Sequence, residues 1–344
     1  MFKLDPRRVD TREPIARGSF GAIYAYLNDD GKENKDWVVK CIQFKETREL
    51  NFFTQELLLG FNHKHPCIVS NRGFNFQGSQ QEGFNLFIKM PRMGPSLKRV
   101  IGDYCKAKAK PNLNDVTKCF YNAASGLEYL EHKRIIHNNV NPGTILFDQN
   151  GAARIGGIGL AQHKPWKEEQ SSEGTRIYAA PERLDEDFVP QKETAFKGDV
   201  WSLGLTIIEF CLLNPKRYYP IQDEDDDWLQ LDSDESKPKS QPQEEKKIDV
   251  DNLNLNKEEG KKRVIGSILV EENLQLIEKE YDRKLGDVEG PETTHKLVKI
   301  LRELFNPNPK DRPSFSKIRE RLNEEFPELV RKTILCECPY LTLI

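Results

Sequence analysis

The feature that most constrains the fold of this chain is an apolar stretch in its second half, TAFKGDVWSLGLTIIEFCLL, which covers residues 194–213. The stretch favours a helix, and apolar side chains would lie on nearly every side of that helix. Such a helix must be buried, so other elements have to surround it. Residues 113–133 carry apolar residues at helical spacing and predict a second helix beside it. These two stretches therefore predict a mostly helical lobe around one buried helix.

Composition limits the class of protein. The chain has 344 residues, of which 37% are hydrophobic, and this is enough for a sizeable core. Its formal net charge of −3 gives no electrostatic reason to expect nucleic acid or an anionic membrane as a partner. No run of about 18 apolar residues occurs, so we expect neither export nor membrane spanning. Seven cysteines without a CxxC pair favour a reducing compartment, and we expect a cytoplasmic protein.

Residues 137–146, HNNVNPGTIL, resemble the catalytic loop of protein kinases, HRDLKPENIL. In that family an Asp of the loop accepts the substrate proton, a Lys steadies the transferring phosphoryl group, and an Asn holds magnesium. This chain has Asn139, Asn141 and Thr144 at those positions. An amide has no basic lone pair near neutral pH, so Asn139 cannot accept a proton as a carboxylate does.

Further motifs follow in the order of the family. RIGGIGLA places Gly157 where the family has its second metal-binding Asp, so no carboxylate remains at either magnesium position. GTRIYAAPE ends at Glu182, DVWSLG begins at Asp199, and DRPSF contains Arg312. The resemblance implies structural roles for these residues and for His137. In the family, the counterpart of Asp199 bonds the backbone of the catalytic loop, and that of Glu182 pairs with that of Arg312 beneath the activation segment.

The segment IARGSFGAIYAYL resembles the glycine-rich hairpin of the family, with Gly18, Gly21 and Ile23 at pattern positions. Alone, this pattern also fits a plain β-hairpin. The strand-like DWVVKCIQF then places Lys40, and the helical stretch after it places Glu56, where the family has its Lys–Glu pair. Nucleotide contact and purely structural neutralisation explain such a pair equally well, so both interpretations stay open.

Three positions weigh against a good ATP site. Val38 stands where the family has a small Ala above the adenine ring, and Pro91 removes an amide donor beside Met90, which would guard the back pocket. Gly60 stands where the family has a bulky residue, which predicts a less firmly held helix. We expect no required cofactor and no metal, and at most weak ATP binding that is independent of magnesium. The possible nucleotide pocket comprises Gly18, Gly21, Ile23, Val38, Lys40, Glu56 and Met90.

Residues 222–263 are rich in charged and polar residues and poor in apolar ones, which predicts a disordered, acidic insert. Within it, Trp228 is either part of a short docking motif or an incidental apolar residue of a solvated linker. The activation segment contains Ser171 and Ser172 as possible phosphorylation sites. The family's Arg that grips such a phosphate is replaced by Asn138, so the usual ordering mechanism is missing.

Together these features predict an α+β protein with a bilobal protein kinase fold. Residues 1–90 would form a small β-rich lobe with one helix, residues 91–326 a larger, mostly helical lobe, and residues 327–344 a tail. The predicted function is that of a pseudokinase, not an enzyme, that works as a scaffold or allosteric regulator through a protein partner, such as an active kinase or a larger assembly. The alternative is a nucleotide-binding sensor or an atypical phosphotransferase.

Overall fold

The computed structural model of the chain describes residues 4–18, 21–45, 57, 60–62, 64–79, 81–158, 176–184, 194–214, 258–282 and 291–337. A β-rich lobe comes first and a larger helical lobe follows. The α+β architecture predicted from the sequence is therefore confirmed. Among the helices of the described segments, none combines the length and apolar character needed to cross a bilayer.

The first lobe contains a six-stranded antiparallel sheet. Its strands are β1 (Val9–Asp10), β2 (Ala16–Gly18), β3 (Gly21–Leu27), β4 (Glu33–Phe44), β5 (Gly73–Ser79) and β6 (Gly83–Pro91). The spatial order is β1-β3-β4-β6-β5, and β2 pairs with β3. The long strands are rich in β-branched and aromatic residues, which suit a pleated surface. Because side chains alternate along a strand, β4 and β6 contribute a row of side chains to each face of the sheet.

The outer face of the sheet is covered by the start of the chain. Val39 and Phe87 pack there in one cluster with Leu4. The backbone N–H of Leu4 donates to the carbonyl oxygen of Phe74 at 3.1 Å, and the Asn75 side-chain amide donates to the carbonyl oxygen of Leu4 at 2.9 Å. The first described residues are therefore part of the folded core of this lobe.

The second lobe is built mainly of helices. They are α1 (Leu97–Ala107), α2 (Leu113–His132), α3 (Lys197–Leu212), α4 (Glu258–Asp282), α5 (Pro291–Leu304), α6 (Phe315–Glu325) and α7 (Pro327–Glu337). A small antiparallel hairpin of β7 (Ile145–Phe147) and β8 (Ala153–Ile155) lies between α2 and α3 in the chain. Short 3-10 turns include Pro181–Leu184 and Pro309–Asp311.

Helix α3 is the centre of the second lobe. Trp201, Leu203 and Ile207 on this helix are fully buried. Helices α2, α4 and α5 all contact α3 and exclude water from its sides. The apolar stretch of the sequence thus forms the predicted buried helix, and the lobe is assembled around it.

Several predictions fall on residues outside the described part of the chain. These are the disorder of residues 222–257, the docking role of Trp228, the serines Ser171 and Ser172, and Glu56. Helix α4 begins at Glu258, so the last residues of the predicted insert are helical. The predicted tail begins as helix α7, in which Val330 is buried.

The packing around α3 predicts opposite effects for one substitution at two helical glycines. A Cβ on Gly204 would lie 2.5 Å from the Phe305 ring, whereas a Cβ on Gly102 in α1 would meet nothing within 4 Å. Gly204→Ala should therefore lower the free energy of unfolding by about 1–3 kcal/mol through overpacking. Gly102→Ala should raise it by roughly 0.5–1 kcal/mol through helix propensity. Urea denaturation measures both, and a gain in stability at Gly204 would show that α3 is less tightly packed than described.

Candidate nucleotide cleft and catalytic loop

Four residues of the possible nucleotide pocket lie on one face of the sheet. The strand register pairs Ile23 with Lys40 across β3 and β4, and Val38 with Met90 across β4 and β6. Paired residues point to the same side of a sheet, and alternate residues of β4 share a face. The same row of β4 contains Ile42, which belongs to a buried apolar cluster on this inner face. The structure therefore brings these four predicted pocket residues together on one surface.

The glycine-rich hairpin lies beside this surface. Gly18 and Gly21 are partners across β2 and β3, and the two residues between them lie outside the described part of the chain. Gly21 has φ of +129°, and a Cβ there would lie 2.3 Å from the carbonyl oxygen of Cys41. Both the backbone conformation and this close approach exclude a side chain. Packing of the sheet alone therefore requires a glycine at position 21.

A buried asparagine lies against the glycine of the first lobe's helix. The backbone N–H of Asn71 donates to the carbonyl oxygen of Gly60 at 2.8 Å. A Cβ on Gly60 would lie 2.1 Å from the side-chain nitrogen of Asn71. The Asn71 side chain therefore takes up the space into which a larger residue at position 60 would extend. This contact was not predicted from the sequence. Glu56, the predicted partner of Lys40, lies outside the described residues.

The polar side chains of the catalytic loop form hydrogen bonds within the loop, mainly to its backbone. The side-chain nitrogen of Asn141 donates to the side-chain oxygen of Asn139 at 2.8 Å and lies 3.1 Å from its carbonyl oxygen. The side-chain oxygen of Asn141 accepts from the backbone N–H of Gly143 at 2.8 Å. The Thr144 hydroxyl accepts from the backbone N–H of Asn141 at 3.1 Å. Hydrogen bonds of neutral amide and hydroxyl groups therefore stabilise the conformation of this loop.

Thr144 also contacts the segment that carries Gly157. The backbone N–H of Gly156 donates to the carbonyl oxygen of Thr144 at 2.8 Å. Gly157 has φ of +66°, and a Cβ there would lie 2.7 Å from Cγ2 of Thr144. The methyl group of Thr144 therefore occupies the space that a side chain at position 157 needs. The residues at the two positions where the family binds magnesium are therefore sterically coupled.

The arrangement limits the chemistry of the cleft. Neither Asn139 nor Thr144 is an ordinary general base, and Gly157 has no side chain to bind a cation. In the part of the chain that the structure describes, no group of three or more His, Cys, Asp or Glu side chains is placed to hold a metal ion. Among the described residues, Lys40 and the backbone N–H groups of the glycine-rich hairpin are of the kinds that bind nucleotide phosphates.

The predicted framing residues lie beneath this loop. Asp199, in the first turn of α3, accepts the backbone N–H of His137 at 2.7 Å and that of Asn138 at 3.0 Å. Burial lowers the pKa of the His137 imidazole, so the ring is neutral. Its Nε2 lies 2.9 Å from the carbonyl oxygen of Gly156 and donates to it, while Nδ1 accepts from the backbone N–H of Asn139 at 3.2 Å. The ring thus joins the catalytic loop to the Gly156–Gly157 segment.

Glu182 and Arg312 form a buried, bidentate ion pair. The two guanidinium nitrogens of Arg312 donate to the two carboxylate oxygens of Glu182 at 2.6 and 2.8 Å. Nε of Arg312 donates to the carbonyl oxygen of Asn306 at 2.8 Å, and the guanidinium lies 4.9 Å from the centre of the Trp201 ring. Both charges are therefore compensated inside the lobe. Arg183, directly after Glu182, forms a second buried pair with Asp199, and sequence analysis missed it.

The comparisons with known proteins agree with this geometry. The model of the protein kinase domain family matches residues 9–325, which is most of the chain. A match of this extent defines the class: the chain belongs to the protein kinase domain family. Sequence analysis inferred the same family from its motifs.

Several of the relatives found among curated proteins are named as protein kinases. The chain is 29% identical over 212 residues to mitogen-activated protein kinase kinase kinase 5 of Arabidopsis thaliana, covering 58% of this chain and 28% of that protein. It is 29% identical over 199 residues to the "Probable serine/threonine-protein kinase MRK1 homolog" of Encephalitozoon cuniculi, covering 58% of each chain. It is 27% identical over 220 residues to cell division control protein 7 of Schizosaccharomyces pombe, covering 63% of this chain and 19% of that protein. The chain thus spans less than two thirds of the length of these relatives.

These findings correct one prediction. The prediction that the chain is not an enzyme is contradicted, because the matching family is the protein kinase domain and the relatives are named as kinases. The physical reason is that the motif residues concern the mechanism and not membership of the enzyme class. The residues at positions 139, 144 and 157 bear on the mechanism of phosphoryl transfer, and their replacement does not by itself place a chain outside the enzyme class.

The buried ion pair predicts a large difference between two arginine substitutions. Arg312→Ala would leave Glu182 as an uncompensated buried charge and should lower the free energy of unfolding by roughly 3–5 kcal/mol. Arg302→Ala is the matched control, because Arg302 pairs with Glu271 on the surface, where such a pair contributes about 0–1 kcal/mol. Asn139→Ala should cost about 0.5–1.5 kcal/mol, the contribution of one hydrogen bond. Urea denaturation decides, and equal losses at the two arginines would contradict the buried frame.

Proposed function

We propose that this member of the protein kinase family works chiefly through protein partners, as a scaffold or allosteric regulator. The family assignment gives the kinase fold, and the proposed role concerns what this fold is used for. The partner would be another protein, such as an active kinase or a larger assembly, since the near-neutral net charge of −3 gives no electrostatic attraction to nucleic acid.

One observation carries the proposal, namely the contrast between the frame and the catalytic positions. The frame keeps buried charges that are costly to maintain: Asp199 beneath the catalytic loop, and the pair of Glu182 and Arg312. The catalytic positions hold neutral groups, and the side chain of Asn141 donates a hydrogen bond to that of Asn139. This fold keeps its shape, while the groups at its catalytic positions bond to one another. Such a fold is suited to binding other proteins through its surface.

The second candidate function is nucleotide binding without magnesium. It is favoured by the inner-face row of Ile23, Val38, Lys40 and Met90, which the strand register places on one surface. Lys40 can neutralise phosphate charge, and backbone N–H groups of the glycine-rich hairpin can donate to phosphate oxygens. With glycine at position 157, a bound nucleotide gains little from a magnesium ion that the protein does not help to hold. Nucleotide affinity should therefore be weak and independent of magnesium.

Thermal unfolding tests this binding mode. ATP should raise the melting temperature by a small, saturable amount, since binding to the folded state adds RT ln(1 + [L]/Kd) to its stability. The rise should be the same with magnesium and with a chelator present. Lys40→Met should abolish it, because the substitution removes the cation that meets the phosphates. A rise that appears only with magnesium would contradict the binding mode and favour conventional metal-assisted chemistry.

A matched pair of variants sharpens the same experiment. Gly157→Asp alone places a Cβ within 2.7 Å of the Thr144 methyl group and should destabilise the loop. The double variant Gly157→Asp with Thr144→Ser keeps the hydroxyl of residue 144 and removes that methyl group. Magnesium-dependent ATP binding should emerge in the double variant and be absent from Thr144→Ser alone. Its emergence in Gly157→Asp alone would show that the steric coupling is unimportant.

Partner association tests the main proposal. The full chain, its Lys40→Met variant and its Arg302→Ala variant should capture the same proteins from cell extract, as measured by quantitative mass spectrometry. Arg312→Ala should lose them, because it breaks the frame that positions the surface around the activation segment. Each protein so identified is then purified and titrated against the same variants to obtain a Kd.

Two outcomes would contradict a role through shape. Loss of the partners in Lys40→Met would show that the cleft, and not the frame, controls association. Phosphorylation of a captured partner by the wild type, lost in Lys40→Met, would show that phosphoryl transfer is the main function.

Equal capture by Arg312→Ala and wild type, with Arg312→Ala confirmed as destabilised, would move the binding surface away from the activation segment.

A further inference from the structure

The carboxylate of Asp199 joins two parts of the second lobe. One of its oxygens accepts the backbone N–H of His137, and the other accepts the backbone N–H of Asn138 and Nη1 of Arg183, the last two at 3.0 Å. The Asp199 side chain is 2% exposed and the Arg183 side chain 8% exposed. The catalytic loop therefore meets Arg183, which directly follows Glu182 at the end of the activation segment, at one buried carboxylate.

The site for the Arg183 guanidinium is built to fit it. A Cβ on Gly198 would lie 2.1 Å from Nε of Arg183 and 2.4 Å from its Cζ. Any side chain at position 198 would therefore displace the guanidinium. Nη2 of Arg183 also donates to the carbonyl oxygen of Ala195 at 3.3 Å. The start of α3 thus offers an open backbone, an acceptor and a carboxylate to this one cation.

The catalytic loop supplies no cation of its own at this point. Asn138 occupies the position that the family fills with an arginine, and its backbone is left-handed, with φ of +63°. Among the ion pairs of the described residues, Asp199 has Arg183 as its partner. A buried carboxylate needs such a partner, because the desolvation of an ionised group costs several kcal/mol.

We propose that Arg183 is a positioning residue for the catalytic loop. It supplies, from the end of the activation segment, the cation that holds Asp199 in place, and Asp199 in turn holds the backbone of His137 and Asn138. The His137 ring extends this chain of contacts to the carbonyl oxygen of Gly156. Because the cation belongs to the protein and its partner is a carboxylate, the loop is ordered without a phosphate on Ser171 or Ser172.

Hydrogen exchange by mass spectrometry tests the proposal segment by segment. In Arg183→Met, protection of the catalytic-loop amides should fall about tenfold or more, while amides in the buried part of α2 change about threefold or less. Arg183→Lys should give intermediate protection, because it keeps the charge and loses the planar geometry. Gly198→Ala, which displaces the guanidinium with no change of charge, should loosen the same amides. It also serves as the second variant if Arg183→Met does not fold.

A second arm addresses phosphorylation. The double variant Ser171→Ala with Ser172→Ala should show catalytic-loop protection equal to that of the unphosphorylated wild type. Treatment of the protein with phosphatase should leave that protection unchanged. Three results would each overturn the proposal: unchanged loop protection in both Arg183→Met and Gly198→Ala, an equal loss across the whole lobe in both variants, or a loss of protection on dephosphorylation.

Discussion

The arrangement of the second lobe depends on the contacts of one buried group, the carboxylate of Asp199. The Asp199 side chain is 2% exposed, so its charge has lost its hydration and must be compensated by the protein. Two backbone N–H groups of the catalytic loop and the guanidinium of Arg183 provide that compensation. Each donor is thereby fixed in place, because moving it away would leave the carboxylate undersatisfied. The conformation of the catalytic loop therefore depends on the buried Asp199 carboxylate as well as on the hydrogen bonds of the loop's own side chains.

The two consecutive charges in the turn Pro181–Leu184 extend this arrangement. Glu182 pairs with Arg312, and Arg183 pairs with Asp199. Two adjacent residues of opposite charge thus each form an ion pair with a different partner. The Lys197 ammonium donates to the carbonyl oxygen of Arg312 at 2.5 Å, and burial lowers its pKa. Groups from three distant parts of the sequence thus form one compensated cluster. Its stability depends on all of them being in place together, which makes the frame cooperative.

Sequence analysis predicted what depends on periodicity and on motif order. The buried α3 helix, the two-lobed architecture and the family follow from patterns that survive without knowledge of distances. The contacts of Gly60 with Asn71, Gly157 with Thr144 and Gly198 with Arg183 were missed. Each depends on how closely segments far apart in sequence approach one another, and a single sequence does not contain that distance.

One inference from the sequence went further than its basis allowed. The replaced residues at positions 139, 144 and 157 bear on the mechanism of phosphoryl transfer and do not exclude the chain from the enzyme class. Family membership is determined by the whole of residues 9–325, whereas mechanism is determined by a few side chains in the cleft. The two kinds of observation answer different questions, and the comparisons decide only the first.

The residues that cover the outer face of the sheet limit how far the chain can be shortened without exposing its core. The family model matches residues 9–325, but Leu4 is 3% exposed and Val330 is 1% exposed. Both side chains belong to apolar clusters, one with Phe87 in the first lobe and one with the helices of the second. A fragment trimmed to the family boundaries would expose apolar surface at both ends to water. The limits of homology and the limits of the hydrophobic core are therefore different in this chain, and the core is the longer of the two.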